Sequence, residues 1–242
     1  MRSFILFFIR KTKAIFMLLH LHIIVGPLEG FMHQLLYLSR MSRWRAKHKH
    51  LGMNDFLSLT YDYPKRMKLH AYVLEKENLN GPVVYLEFGV AKGESYSWWV
   101  KNNTHAESSF VGFDTFTGLP EDWNVFKKGD MSAGGFTPAV DDQRASFEVG
   151  LFQDTLPGFV KKHDLSKRLV IHIDGDLYSS AYYALNMLAP YMKKDDVIIF
   201  DEFGVPTHEF KVFEEFFASH YKKYEVLGAV NNYLQLAIKI SE

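Results

Sequence analysis

The chain has 242 residues, of which 48% are hydrophobic and 16% aromatic, so it can build a substantial core and is not a disordered protein. Basic and acidic residues number 28 each, and this zero net charge argues against a nucleic-acid-binding protein, which would normally be strongly basic. The absence of cysteine excludes disulfides, thiolate metal sites and cysteine nucleophiles.

The charge is unevenly distributed along the chain. Residues 1–50 contain nine basic residues and one acid, whereas residues 51–242 contain 19 basic and 27 acidic residues. We therefore predict a basic, apolar helical arm over 1–50 and one main domain over 51–242. An apolar run at 14–25 is interrupted by two histidines and is shorter than the roughly 20 residues that a membrane span needs.

Three interpretations of this arm stay open. It packs on the main domain or on a second subunit of a homo-oligomer, it contacts a membrane surface peripherally through its phenylalanines and cations, or it is a cleaved or spanning segment. Packing is favoured because no small-residue cleavage site follows the apolar run. We expect a cytoplasmic protein, with membrane contact through residues 1–50 left open.

From residue 83 onward, short apolar runs alternate with amphipathic segments. Strands are predicted at 83–88, 110–113, 149–152, 169–173 and 197–200, and helices at 94–102, 180–192 and 209–220. The last two apolar runs, 224–230 and 233–240, flank Asn231-Asn232 and predict an antiparallel hairpin. This order predicts an α/β fold with a doubly wound, Rossmann-like, mostly parallel sheet.

A polar stretch at 117–142 interrupts this alternation and predicts a long loop. Long loops inside compact domains are usually functional or disordered. With Gly134-Gly135 as a hinge, this loop is our candidate lid, and Trp123 within it is the tryptophan we expect to meet a ligand.

Acidic residues gather where several predicted strands end. They are Glu87, Asp114, Asp174, Asp176, Asp201 and Glu202. Ligands of open α/β sheets bind beyond the carboxyl ends of the strands, and carboxylates that converge there repel one another unless a cation or proton intervenes. This grouping is the strongest functional signal in the sequence.

The first strand–helix loop, 87–93, has a G-x-x-x-G spacing. Gly89 permits a tight turn against a ligand, and Gly93 lets the helix start close to the sheet. The spacing matches neither a dinucleotide fingerprint nor a P-loop, and an ordinary turn is the alternative. Asp114, one strand later, can accept hydrogen bonds from two ribose hydroxyls, or else it anchors a loop or caps a helix.

Asp174, Asp201 and Glu202 follow two strands that we expect to be neighbours. Three hard oxygen ligands suit Mg²⁺, Mn²⁺ or Ca²⁺, whereas the lack of Cys and of H-E-x-x-H argues against zinc. Asp176 can then remove the proton of a hydroxyl held in the same cleft. The alternatives are that Asp174 or Asp176 caps the next helix and that Glu202 is a surface charge.

Five stretches, taken in order, resemble the macrocin O-methyltransferase family of metal-dependent sugar O-methyltransferases. They are Leu86-Glu-Phe-Gly-Val-Ala-Lys-Gly-Glu-Ser95, Gly112-Phe-Asp-Thr-Phe-Thr-Gly-Leu-Pro-Glu121 with Trp123, Phe152-Gln-Asp-Thr-Leu-Pro157, His172-Ile-Asp-Gly-Asp-Leu-Tyr-Ser-Ser180 and Ile198-Ile-Phe-Asp-Glu202. Some members carry Asp where this chain has Glu202. The resemblance implies a class I methyltransferase sheet of seven strands.

The resemblance also implies the activity, methyl transfer from S-adenosylmethionine to a hydroxyl of a sugar or another small molecule or glycan. It implies that the cofactor binds at Glu87, Gly89, Gly93, Ser95, Asp114 and Asp154, that a metal ion, usually Mg²⁺, binds Asp174, Asp201 and Glu202, and that Asp176 is the general base. Two other classes stay open. One is a nicotinamide-dependent oxidoreductase, which would normally have the three-glycine fingerprint, and the other is a non-catalytic cofactor-binding module on the same fold.

Overall fold

The computed structural model describes residues 1–242. The helices are α1 (Arg2–Leu18), α2 (His22–Val25), α3 (Glu29–Lys47), α4 (Lys65–Lys76), α5 (Glu94–Asn102), α6 (Phe152–Lys162), α7 (Tyr178–Leu188) and α8 (Glu209–His220), with a 3-10 turn at Gly26–Leu28. The strands are β1 (Met53–Asn54), β2 (Val83–Phe88), β3 (Ser109–Asp114), β4 (Ala145–Val149), β5 (Arg168–Ile173), β6 (Val197–Phe200), β7 (Tyr224–Val230) and β8 (Gln235–Ile240).

The strands form one sheet in the order β1-β7-β8-β6-β5-β2-β3-β4. Every pairing is parallel except those of β8, which runs antiparallel to β6 and to β7. The predicted mostly parallel sheet with an antiparallel C-terminal hairpin is therefore confirmed. The predicted count of seven strands is corrected to eight, because the two-residue β1 pairs with the outer edge of β7.

Two predicted boundaries were wrong for local reasons. The strand expected at 149–152 lies at Ala145–Val149 instead, because buried apolar residues at Phe152, Leu156 and Phe159 have helical spacing and begin α6. The hairpin turn covers four residues rather than two, and three of them, starting at Asn231, adopt the left-handed conformation.

The core lies on both faces of the sheet. Alternate residues of β2 point to opposite sides, so Leu86 and Phe88 pack with α6, α7 and α8, while Tyr85 packs with α4 and α5. The central strands β2, β5 and β6 are almost entirely buried. For β6 this follows from its four consecutive apolar residues, which are typical of a strand covered on both faces. This packing holds the carboxyl ends of β2, β3, β5 and β6 along one edge.

Only the end of the N-terminal arm contacts this core. Tyr37 and Trp44 of α3 are buried, and the Trp44 indole N–H donates a 2.9 Å hydrogen bond to the Tyr224 hydroxyl. Helix α1 has no buried residue. No single helix is long and apolar enough to span a membrane, although α1 and the segment 22–47, bent by 78°, pass together by length and composition. The domain boundary at residue 50 stays a prediction.

Candidate active site

A cleft of about 780 Å³ opens at the carboxyl ends of β2, β3, β5 and β6. Seven carboxylates and two cations are among its lining residues: Glu94, Asp114, Glu121, Asp174, Asp176, Asp201 and Glu202, with Arg66 and Lys92. Its size is typical of sites for small ligands. The negative lining suits a ligand with a positive charge.

Gly89 joins the first loop to the acidic residues. Its φ is +95°, and a Cβ at this position would overlap the backbone carbonyl of Asp174. The Gly89 N–H donates to the carbonyl of Phe113 at 2.9 Å, and the Asp174 N–H donates to the carbonyl of Phe88 at 2.8 Å. Gly89 therefore permits a close approach of the first loop to the loop that follows β5. This approach places Asp174 at the edge of the cleft.

Gly93 has a different role from the predicted one. Its φ is +78°, and a Cβ there would meet the Pro138 ring at 2.6 Å. Gly93 therefore admits the long loop 117–142 over the start of α5, rather than a close approach of the helix to the sheet.

Asp114 lines the cleft and anchors its first loop. One carboxylate oxygen accepts hydrogen bonds from the N–H groups of Val90 and Ala91, both at 2.7 Å, and the other accepts from Phe116 N–H at 2.7 Å. A carboxylate offers about four acceptor sites, so three are already used. The loop-anchor alternative is thus present, and contact with ribose hydroxyls stays a prediction.

Glu87 lies behind the cleft wall and not among its lining residues. Its side chain is fully buried, where it accepts hydrogen bonds from the Tyr85 hydroxyl and, at 3.0 Å, from the Ser95 hydroxyl. Ser95 does line the cleft, although its hydroxyl is turned to Glu87. The alternation of β2 places Glu87 on the same face as Tyr85, which α4 and α5 cover, and there it holds the start of α5 through Ser95.

Asp154 is also outside the cleft. It is exposed in the first turn of α6, where a negative charge interacts favourably with the helix dipole, and its neighbour Gln153 lines the cleft instead. The structure thus gives Asp154 no contact with the cleft that would support the predicted cofactor role.

The acidic residues of β5 and β6 crowd one another at the cleft floor. Burial and the charges of Asp201 and Asp176 raise the pKa of Asp174 well above its usual value. Burial and the charges of Asp201 and Asp114 raise the pKa of Asp176 to about 7, and burial with Asp201 and Asp176 raises that of Glu202 to about 8. Ionised together, these groups would require a compensating cation.

Asp176 does not cap the following helix. The N-cap position of α7 is Leu177, and no side chain caps it. Asp176 adopts a left-handed conformation with φ of +59°, which is uncommon for a residue other than glycine. The backbone thus turns this carboxylate into the cleft lining, as expected for a residue that acts on a ligand.

Arg66, which the sequence analysis missed, supplies a cation at this floor. Its Nη1 lies 3.4 Å from Asp174 Oδ2 and 3.4 Å from Asp201 Oδ2, and its Nη2 lies 3.2 Å from Glu94 Oε2. The side chain is 6% exposed and its guanidinium lies over the Tyr63 ring. Burial opposes its charge, but Asp201 and Asp174 raise the pKa of Arg66 above its usual value.

The predicted ligand residues have the chemistry of a hard-cation site. Asp174, Asp201 and Glu202 all line the cleft, and Asp201 Oδ1 is buried without a hydrogen-bond partner. These oxygens fit Mg²⁺ or a similar ion. The three carboxylates are not arranged as a formed metal site. Groups of three ligand atoms that all lie within 4.8 Å of one another occur only in His70–His172–Asp201 and in Glu87–His172–Asp174.

The buried group of His70, His172 and Asp201 is unsuited to a metal. His70 Nδ1 accepts a 2.8 Å hydrogen bond from the Trp99 indole N–H, so neutral His70 carries its proton on Nε2 and has no free lone pair. Burial opposes a charge on His172, but the carboxylates of Asp201 and Glu87 raise its pKa to about 9. Protonated His172, with Nε2 3.8 Å from Asp201 Oδ1, stabilises that carboxylate.

The neutral state of His70 predicts loss of stability in acid. Burial, then the charges of His172 and Arg66, lower its pKa well below the usual 6.5. Below pH 6.5 the unfolded chain binds a proton that the folded chain does not, so stability falls with pH by up to about 1.4 kcal/mol per unit. Urea unfolding between pH 7 and pH 5 should therefore show a shallower decline for His70→Asn.

The exposed His50→Asn serves as the control for this prediction. An unchanged slope in His70→Asn, matching that of the control, would contradict the assignment of a neutral buried imidazole to His70.

The long loop forms one wall of the cleft. Leu119, Trp123 and Phe126 line it, and Ser179 of α7 donates a 2.7 Å hydrogen bond to Glu121. The Trp123 indole N–H is buried without a hydrogen-bond partner, and its contact with a ligand stays a prediction. The proposed hinge is in part tied down, because Gly135 N–H donates to the Phe116 carbonyl at 2.8 Å.

Comparisons with known proteins agree with this architecture. A family described as a methyltransferase domain matches residues 86–203, and no curated protein sequence matches the chain. The calicheamicin methyltransferase CalS11 is 20% identical with a TM-score of 0.57, covering 72% of this chain and 79% of that one. The O-methyltransferase NovP is 19% identical with a TM-score of 0.57, covering 74% and 80%.

A second structure of CalS11, described as a TDP-rhamnose 3'-O-methyltransferase, is 20% identical with a TM-score of 0.52, covering 73% of this chain and 80% of that one. The matched segment 86–203 contains the cleft loop, Asp114 and the acids at the ends of β5 and β6. The chain thus has the fold of class I methyltransferases, and its residues 86–203 are similar to the methyltransferase-domain family.

Proposed function

We propose that the chain is an S-adenosylmethionine-dependent O-methyltransferase that acts on a hydroxyl of a sugar or glycoconjugate. The observation that carries the proposal is one cleft that contains both the Asp114-anchored loop 89–93 and the carboxylate of Asp176. A cofactor-binding loop and a base are thus within reach of one bound acceptor. A non-catalytic module would need the loop but not the base.

S-adenosylmethionine fits the chemistry of this cleft. When bound, it supplies an electrophilic methyl group on a positively charged sulfur, and the carboxylate-rich lining favours that charge. Gly89 and Gly93, both with positive φ, allow the tight conformation of the loop that lines the cleft, and Trp123 offers a buried N–H donor. Contact of the cofactor with Asp114 is proposed through its one unused acceptor site.

Asp176 removes the acceptor's proton in this proposal. With its pKa near 7, the ionised carboxylate is available at neutral pH and is still basic enough to accept a proton from a hydroxyl whose acidity is raised in the cleft. The wall formed by Leu119, Trp123 and Phe126 excludes water from the reacting oxygen. Most of the rate enhancement then comes from positioning.

A hard divalent cation, usually Mg²⁺, would be held by Asp174, Asp201 and Glu202. It would supply a Lewis acid that lowers the pKa of a bound hydroxyl. The proposal is supported by the oxygen donor set, by the raised pKa values of Asp174 and Glu202, and by the unpartnered Asp201 Oδ1.

The sugar acceptor is proposed from two sources of support. The sequence resembles a family of sugar O-methyltransferases, and one structure of similar fold is described as a TDP-rhamnose methyltransferase. The lining also offers hydroxyl groups, including those of Ser132 and Ser179, that can bind several neighbouring hydroxyls.

Calorimetric titration tests the cofactor class. We expect heat of binding with S-adenosylmethionine and none with NADH. The reverse result would contradict the methyltransferase proposal and support an oxidoreductase. Incubation of the purified chain and cofactor with nucleotide-linked deoxysugars, polysaccharides and lipid-linked glycans should then give one product heavier by one methylene unit, together with S-adenosylhomocysteine. Formation of neither from any glycan, with the cofactor bound, would contradict the proposed activity.

Metal removal tests the proposed ligand residues. We expect EDTA to abolish turnover and excess Mg²⁺ to restore it, because the hydroxyl then regains its lowered pKa. Turnover that remains complete in the chelator would refute the assignment of Asp174, Asp201 and Glu202 as metal ligands. Zinc-site chelators selective for soft metals serve as the control.

A further inference from the structure

The guanidinium of Arg66 lies where a cation shared by two aspartates would lie. Its Nη1 is equidistant, at 3.4 Å, from Asp174 Oδ2 and Asp201 Oδ2. These two oxygens therefore converge on a nitrogen that already carries positive charge. An Mg²⁺ ion demands oxygens at about 2.0–2.1 Å, a distance that leaves no room for this nitrogen between them.

Arg66 is held in this position from its outer side. Glu94, with a side chain that is 68% exposed, pairs with Nη2 at 3.2 Å, and the Tyr63 ring lies 4.0 Å from the guanidinium carbon. The two aspartates directly follow β5 and β6 and share no element with Arg66, which belongs to the first turn of α4. The side chain can therefore leave without moving the two strands.

We propose that Arg66 is a built-in counter-cation that competes with divalent ions for Asp174 and Asp201. It rests on the proposed function only in treating these aspartates as cation ligands. In the ion-free chain Arg66 neutralises their crowded charge, and an ion binds only when the guanidinium withdraws. Arg66 thereby weakens the affinity of the cleft for divalent ions.

Binding of Mn²⁺ to the full chain, followed by electron paramagnetic resonance without cofactor or acceptor, tests this competition. We expect Arg66→Gln to bind Mn²⁺ at least about 10-fold more tightly than the unmodified chain, since the displaced charge no longer opposes the ion. Arg66→Lys keeps a charge and should stay near the unmodified chain. Lys92→Gln, which removes the other cation of the lining, is the matched control.

Equal or weaker Mn²⁺ binding in Arg66→Gln would overturn the competition, as would tighter binding that persists in the double variant Arg66→Gln with Asp201→Asn. Arg66→Met is the second variant if Arg66→Gln does not fold. Because no methyl transfer is measured, failure here is distinct from failure of the proposed activity, which would leave the Mn²⁺ affinities as expected.

A second, independent observation concerns α1. Every residue of this helix is exposed, including Phe4, Phe7 and Phe8 at 71%, 57% and 64%. Residues 4–9 are six consecutive apolar residues, and at 3.6 residues per turn they cover the whole circumference of the helix. A protein groove would cover only one side of such a segment, whereas the apolar layer of a membrane surrounds it.

Charge and length favour an anionic lipid surface as the occupant. Arg10, Lys11 and Lys13 form a cationic belt directly after the apolar segment. The six residues before it are about 9 Å long at 1.5 Å per residue, far short of the roughly 30 Å hydrocarbon core, so they can enter only one leaflet.

We propose that residues 4–9 insert into the interface of an anionic membrane while Arg10, Lys11 and Lys13 pair with lipid headgroups. Co-sedimentation of the full chain with vesicles tests this contact. We expect binding to vesicles containing one third phosphatidylglycerol and much weaker binding to phosphatidylcholine alone. Replacing the three cations by Gln should weaken binding on the order of 100-fold.

The controls use exposed positions elsewhere in the chain. Lys161→Gln with Lys162→Gln removes two exposed cations of α6, and Leu59→Ser removes an exposed apolar side chain, and neither should change vesicle binding. Phe4→Ser with Phe7→Ser should abolish it. Absence of binding to both kinds of vesicle would overturn the proposal. A dimer that these two serine substitutions convert to monomer would also overturn it, in favour of contact with a second copy of the chain.

Discussion

Asp176→Asn should lower turnover by at least about 100-fold and leave the affinity for S-adenosylmethionine within about threefold. The amide has the shape of the carboxylate but accepts no proton from the acceptor hydroxyl, and loss of a general base costs on the order of 10²–10⁴ in rate. Steady-state kinetics with the identified acceptor gives the turnover, and calorimetry gives the cofactor affinity.

The matched control is Glu121→Gln. Glu121 is another carboxylate of the cleft lining, and its amide still accepts the hydrogen bond from Ser179. We expect this variant to stay within about tenfold of the unmodified chain. An Asp176→Asn variant that keeps more than a tenth of the turnover would remove Asp176 from the mechanism and support a non-catalytic module.

The same base gives a pH dependence with a defined sign. Burial, then the charges of Asp201 and Asp114, raise the pKa of Asp176 to about 7, and only the ionised form accepts a proton. Turnover should therefore rise with pH and level off above about 7, falling roughly tenfold for each unit below it. A flat profile down to pH 5 would contradict this role.

Gly89→Ala should reduce the free energy of unfolding by at least about 3 kcal/mol, which places it among the most destabilising single substitutions. An alanine there must adopt a φ of +95° and overlap the backbone carbonyl of Asp174, which cannot rotate away as a flexible side chain would. Relief requires that β2 and the β5 loop separate, and this would displace Asp174 and Asp176 from the cleft. Urea denaturation measures the loss.

Gly135→Ala separates the two causes. Gly135 has a similar φ of +81°, but a Cβ at this position meets nothing within 4 Å. It should cost only the conformational penalty, about 1–2 kcal/mol. Equal losses in the two variants would show that contact with Asp174 contributes nothing. If Gly89→Ala is too unstable to purify, the melting temperature in the cell lysate replaces urea denaturation.

The roles of the acids differ according to their distance from the cleft. Glu87, Asp114 and Asp176 all lie at or near strand ends. Glu87 is buried behind the wall, Asp114 has one acceptor site left after three backbone N–H groups, and Asp176 faces the ligand space with a raised pKa. Position at a strand end therefore identifies the site, whereas the remaining hydrogen-bond capacity of each carboxylate determines what it can do there.

Much of this arrangement was determined by the sequence itself. The unbroken apolar run of β6 requires a strand buried on both faces, and β2 and β5 are nearly as apolar. In parallel order the carboxyl ends of these strands meet, so the acids at and after those ends had to share one edge. The hairpin and the helices at 94–102 and 209–220 likewise follow from local periodicity.

The tertiary structure alone decided which charges meet. Arg66 lies 108 residues from Asp174 and 135 from Asp201, and the periodicity of α4 gives no sign that its guanidinium reaches them. The two-residue β1, the burial of Glu87 and the contact of Gly93 with Pro138 also depend on distant segments. Local patterns encode secondary structure and burial, but side-chain partners form only when chain packing brings remote residues within a few ångströms.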